Sequence, residues 1–293
     1  MKKLYIFLFI TLLVNHICSA DVSIKEKTAL LQLYASTNGK HWVKKWNLNS
    51  PVAQWYGVEV KDDKVVGIQL FRNNLMGVLP EELGDLEHLS TLNLAFNAIT
   101  GELPKTLVNL KNLKILKLEM NRIKGEIPSD IGKMTALEEL SAFNNFLSGT
   151  IPESIGRIKN LKVLNLSSNS LKGSIPSSLG ELSALETLGL FENTLQGAIP
   201  VAMGNLRNLK ELVLANNALD GEIPAEFGQL ASLEVFQIQN NKFSSFKNLE
   251  MMDKGQFLVF DYDHDDKNIQ FKDINFSKSR MADTKFEDIE DEE

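Results

Sequence analysis

Cysteine occurs once in this chain, at Cys18, inside the first twenty residues. Everything downstream must fold without disulfides, and no thiolate is available there as a nucleophile or soft metal ligand. Histidine is also scarce: past residue 20 only His41, His88 and His264 remain, too dispersed to form a shared site. Bases are in deficit, with 31 Lys and Arg against 38 Asp and Glu and a formal charge of −7. That balance argues against nucleic acid, whose affinity rests on basic charge. No apolar run after residue 20 is long enough to span a bilayer. Adjacent carboxylates such as Glu81-Glu82 and Glu138-Glu139 have nothing around them that marks a pocket. The sequence therefore predicts no cofactor, no metal and no catalysis.

Proline and glycine are few but ordered. Seven of the eight prolines fall at one spacing, from Pro80 to Pro224 in steps of 24 residues, and a glycine precedes each by three, from Gly77 to Gly221. Eight asparagines keep the same beat: Asn73, Asn97, Asn121, Asn145, Asn169, Asn193, Asn217 and Asn241. A fixed period in this range marks a solenoid built from one repeating unit.

Counted from each asparagine, positions −8, −5, −3 and +2 are apolar, as in Leu89, Leu92, Leu94 and Ile99 around Asn97. The alternation Leu92-x-Leu94 predicts a short strand with one buried face. An asparagine amide at the turn offers donors and an acceptor, so the stacked series predicts a buried hydrogen-bonded ladder between repeats. Glycine at +4 permits a left-handed backbone and proline at +7 excludes an inner strand. The unit L-x-x-L-x-L-x-x-N-x-L-x-G-x-I-P-x-x-L-G-x-L resembles the plant-type leucine-rich repeat. That resemblance implies an α/β solenoid, a right-handed superhelix with a parallel concave sheet and short helical or irregular convex segments. Two departures stand out. Ala142 replaces a larger apolar residue, and Val108 replaces the glycine of the Leu-Gly pair, where it should tighten the corner.

Residues 1–20 carry Lys2, Lys3, the apolar run Leu4–Val14 and a small-residue end at Ala20, the pattern of a secretory signal peptide. A lipid anchor at Cys18 competes with it, although Ile17 is large for such a site. Residues 21–66 read as the front cap of residues 67–243. They combine a Ser23/Glu26 capping box, a helix over Ile24–Tyr34, and a hairpin of Val58–Val60 with Val65–Leu70. All three tryptophans, Trp42, Trp46 and Trp55, fall here, either as a plug for the first repeat or as a sugar platform. Trp55-Tyr56-Gly57-Val58 matches the cap core of plant receptors, but Ala53 and Val60 stand where their cysteines would be. The stretch from Leu33 to Trp42, with Trp46 to Pro51, resembles the front cap of exported bacterial members, which implies an envelope or extracellular setting. Residues 244–280 read as a back cap and residues 281–293 as an acidic tail. The cluster Asp261, Asp263, Asp265 and Asp266 lacks the glycine and glutamate of a calcium loop, so a solvated acidic loop is expected.

On the strand face, positions −4, −2 and −1 should point outward. Early repeats would then present Phe71, Arg72, Phe96, Lys117, Glu119, Met120 and Phe143, and a later one Phe191, while later repeats look small or amide-rich. Exposed rings in a polar surround mark a binding patch. The expectation is a secreted, periplasmic or surface recognition protein, monomeric, that binds a protein, peptide or polysaccharide through this face without reaction. The resemblance implies recognition without fixing the target. The rival readings are a structural or adhesive scaffold and a carbohydrate-binding accessory that uses the tryptophans.

Overall fold

In the computed structural model, residues 22–263 are described, apart from 253, 254 and 256. The leader with Cys18, the residues Asp265 and Asp266, and the acidic tail lie outside them. The chain opens with helix α1, Ile24–Ser36, whose capping box is present: the Glu26 amide donates to the Ser23 hydroxyl, and the Glu26 carboxylate accepts from the Ser23 amide. The other Glu26 oxygen accepts from the Val65 amide at 3.0 Å, which fastens α1 to the hairpin. Strands β1 (Val58–Lys61) and β2 (Lys64–Gln69) pair antiparallel. Asp62 and Asp63 turn between them with φ of 50° and 57°, the left-handed pair that a two-residue hairpin turn needs.

From β2 onward, each repeat adds one strand in parallel register, displaced by 24 residues: Leu92 beside Ile68, then Leu116, Leu140, Leu164, Leu188, Leu212, Phe236 and Phe260. With β1 they make a ten-stranded sheet. A second, six-stranded sheet forms from the segments after the asparagines, Lys124–Glu126 to Lys242–Ser245. Short 3₁₀ helices that begin just after the prolines, such as Glu153–Arg157, form the back wall. The −8, −5, −3 and +2 side chains meet in one continuous core between these layers. Burial of leucine and isoleucine at about 25 cal/mol per Å² supplies the drive, because no coil can cover its own apolar face.

The asparagines link the coils. Asn145 Oδ1 accepts from the Ile123 amide of the previous repeat, while its Nδ2 donates to the carbonyls of Leu118 and Ala142. The same set recurs at Asn97, Asn121, Asn169, Asn193, Asn217 and Asn241. At the front, Asn73 exchanges both bonds with the Lys44 backbone in the cap. At the back, the Asp263 carboxylate accepts from the amides of Asn240 and Asn241.

The repeats do not end at residue 243, and Asp261 and Asp263 do not lie in the solvated loop that the sequence predicts. Instead, Val259–Asp261 is a further strand in register with Val235–Gln237, and Asp263 closes the last coil. No leucine-asparagine signature announces this strand, since Phe260 and Tyr262 stand at the leucine positions.

Tryptophans Trp42, Trp46 and Trp55 are buried, and each indole N–H donates to a backbone carbonyl, of Thr37, Tyr56 and Ser50 respectively. They stack on one another and on Tyr34 as the front plug, so the sugar-platform reading falls. A ring cluster of Phe236, Phe257, Phe260, Tyr262 and Phe246 fills the corresponding place at the back.

At the back-wall corners, a Cβ on Gly84 would lie 2.4 Å from the Thr106 carbonyl oxygen of the next coil. Val108 occupies the equivalent position, buried, and the helix facing it is cut to Ile131–Lys133 where the neighbouring coils have five residues. Val108 is thus accommodated by a shortened facing helix.

Candidate concave recognition face

After β2, each repeat strand begins at position −6 and covers three residues, as in Thr91–Asn93. Residues −6 and −4 therefore face outward, with −2 just beyond the strand. The −6 column was missed by counting outward only from −4. It carries Thr91, Ile115, Glu139 and Val163, and Glu139 pairs with Lys117 of the previous coil at 3.0 Å. Extending the period-two count by one step would have found it.

Position −1 behaves differently. From Arg72 to Asn240 every residue there has φ between 48° and 57°. Asparagine tolerates this left-handed region, whereas a ring such as Phe96 occupies it at a cost of about 1–2 kcal/mol. The turn swings the −1 side chains toward the rim of the sheet.

In the early repeats Phe71 is 46% exposed and packs against Phe96 with ring centroids 5.1 Å apart. Phe96, Met120 and Phe143 are half-buried, and Lys117 is half-buried against Glu139. Asn144 Nδ2 donates to the Met120 sulfur, which holds that side chain along the rim. A shallow cavity of about 420 Å³ opens beside this group, lined by Val43, Arg72, Asn74, Phe96, Asn97 and Ala98. Its apolar wall from the front cap, Val43, and the exposed guanidinium of Arg72 give it amphipathic character.

Glu119 was expected on the surface but is buried, 9% exposed, and its Oε2 accepts no hydrogen bond from the described residues. Burial raises its pKa above the usual carboxylate range. Its own amide, the Ser141 hydroxyl and the Lys117 ammonium offset part of that rise, while Glu139 adds to it.

Phe191 does not join the early group. It packs with Val213, Val235 and Val259, a separate apolar cluster on the same face. The later repeats are thus not simply small and amide-rich. The valines lie one strand apart in the −4 and −6 columns, and strand stacking alone brings them together.

Comparison with known proteins agrees with this geometry. Residues 69–172 match the family described as Leucine-rich repeat region, and residues 208–230 match Leucine Rich Repeat. Polygalacturonase inhibitor 1 of Arabidopsis thaliana is 32% identical over 94 residues, which are 30% of this chain and 27% of that protein. The ectodomain of the Arabidopsis thaliana receptor kinase GASSHO1/SCHENGEN3, solved with CASPARIAN STRIP INTEGRITY FACTOR 2, superposes with a TM-score of 0.75. It shows 32% identity, over 80% of this chain and 29% of that one. The Arabidopsis receptor kinase HAESA, solved with the peptide hormone IDA and the co-receptor SERK1, gives a TM-score of 0.71. Its identity is 30%, over 82% of this chain and 41% of that one. The chain spans under half the length of each of these relatives. The fold and these matches define a leucine-rich-repeat solenoid with plant-type repeats.

Proposed function

We propose that this chain is a non-catalytic, exported recognition protein that binds a protein or peptide along the early strands of its concave sheet. The observation that carries the reading is the Phe71–Phe96 pair beside the Arg72 cavity. Its rings stand outside the continuous core, next to a cation, on a face that no described element covers. Large apolar side chains held outside a core contribute little to folding, whereas central rings and arginine are the usual anchors of an interface. The neighbours solved with peptide ligands support a peptide or protein partner over a polysaccharide, and burial of the three indoles removes the main sugar-stacking candidate. The leader pattern and the likeness to receptor ectodomains support export; among the described residues no helix is long and apolar enough to cross a membrane.

The test is affinity capture on the immobilised chain, comparing wild type with the double substitution Phe71→Ser, Phe143→Ser. A partner retained by wild type and lost from the folded double variant supports the reading. Equal retention on both overturns it.

A further inference from the structure

We propose that the Glu119 carboxylate is a subsite for a cationic group, the side chain of an arginine or lysine in a peptide ligand lying across the concave strands. This rests on the reading of that face as a recognition surface and adds the chemistry of one contact.

The argument begins with an unmet need. A carboxylate taken out of water is stable only when paired or hydrogen-bonded. Glu119 is more than nine-tenths buried, yet its Oε2 has no partner among the described residues. The adjacent ammonium does not serve it, because Lys117 Nζ is engaged by Glu139 Oε1 at 3.0 Å. Desolvation accordingly dominates the raised pKa of Glu119, and the Ser141 hydroxyl and Lys117 recover only part.

The surroundings shape the subsite. Glu119 stands in the −2 column between Ala95, fully buried one coil before it, and Phe143, half-buried one coil after. The column thus runs from the Phe71 ring over a low floor at Ala95 and Glu119 to the Phe143 ring, three strand spacings or about 14 Å in all. A guanidinium or ammonium set down on that floor would lie over the buried Glu119 carboxyl, whose Oε2 turns outward to pair with it, between two rings where cation–π attraction adds to the ion pair. The column continues in kind: Ser167 Oγ and Gln239 Oε1 are likewise buried without partners among the described residues.

Charge on the face points the same way. Glu119, Glu139, Glu192 and Glu211 outnumber Arg72 and Lys117, and the whole chain carries −7. A metal ion fits less well, since one carboxylate supplies too few oxygens for the six to eight that calcium takes.

The probes are two end-capped peptides, acetyl-Gly-Phe-Arg-Phe-Gly-amide and its counterpart with citrulline in place of arginine, which keeps shape and removes charge. Binding is followed by amide chemical shifts of the full chain and of the variants Glu119→Gln and Glu222→Gln. The second variant changes the net charge equally but on the other sheet. The expected result has three parts: at least tenfold tighter binding of the arginine peptide, shifts centred on residues 117–119 and 141–143, and loss of the preference in Glu119→Gln but not in Glu222→Gln. Equal binding of both peptides with shifts on the sheet would overturn the subsite and leave the concave reading standing. So would a preference that survives Glu119→Gln. If neither peptide moves the sheet, the cationic subsite falls, and the concave reading is decided by the affinity capture alone. Shifts from maltohexaose alone would replace the cation by a neutral sugar.

Discussion

Asn145 Oδ1 takes a hydrogen bond from the Ile123 amide at 2.9 Å, and this one contact ties two coils whose residues are 22 apart in sequence. The same side chain also holds the carbonyls of Leu118 and Ala142. Asn145→Ala strands the Ile123 amide, while the Leu118 and Ala142 carbonyls keep Asn121 and Asn169; it should cost about 1–3 kcal/mol, read as a lower denaturant midpoint. Asn145→Asp keeps the acceptor and loses the donors, so it should also destabilise.

Phe96 holds a left-handed backbone that asparagine accepts more easily. Phe96→Asn should therefore be close to neutral in stability, within about 1 kcal/mol, because relief of strain offsets the lost packing on Phe71. Capture of the partner should weaken. A variant that fails to fold would show instead that the ring is part of the core.

Glu119 gives a pH prediction. Its folded pKa is raised, so the folded state binds the proton more tightly than the unfolded chain does. That contribution is fully present below the unfolded carboxylate range and is lost as pH rises through the folded value. Glu119→Gln should then raise Tm at pH 7 and give no gain at pH 3, where wild type carries the proton. The charged groups acting on this carboxyl are Lys117 and Glu139.

The back wall has a steric prediction. A Cβ at Gly180 would lie 2.3 Å from the Ala202 carbonyl oxygen of the next coil. Gly180→Ala should cost about 1–3 kcal/mol through forced displacement of that backbone. Val108→Gly, facing the shortened helix Ile131–Lys133, should cost less than the cavity it leaves would suggest if that helix closes in.

Much of the solenoid was legible because its cause is periodic. A strand residue such as Leu116 packs the same way as Leu92 and Leu140, so a single decoded coil predicts the others. The misreadings fall where that periodicity ends or where side chains on one face interact. The strand Val259–Asp261 continues the stack with phenylalanine and aspartate in the roles of leucine and asparagine, so its pattern vanishes although its geometry persists. Glu119 looked exposed because column position says which way a side chain points and not how deep it sits between neighbours. Depth depends on the small Ala95 and the large Phe143, which are 48 residues apart in the chain. The Phe191–Val213–Val235–Val259 cluster was invisible for the same reason: no two of its members are closer than 22 residues.

The central claim is that recognition occurs on the early concave strands. Hydrogen exchange of the chain with and without its captured partner tests it most directly. The account predicts slowed exchange over Thr91–Asn93, Ile115–Lys117 and Glu139–Ser141, with the second sheet and back wall unchanged. Protection confined to Lys172, Gln196 and their neighbours on the second sheet would contradict it.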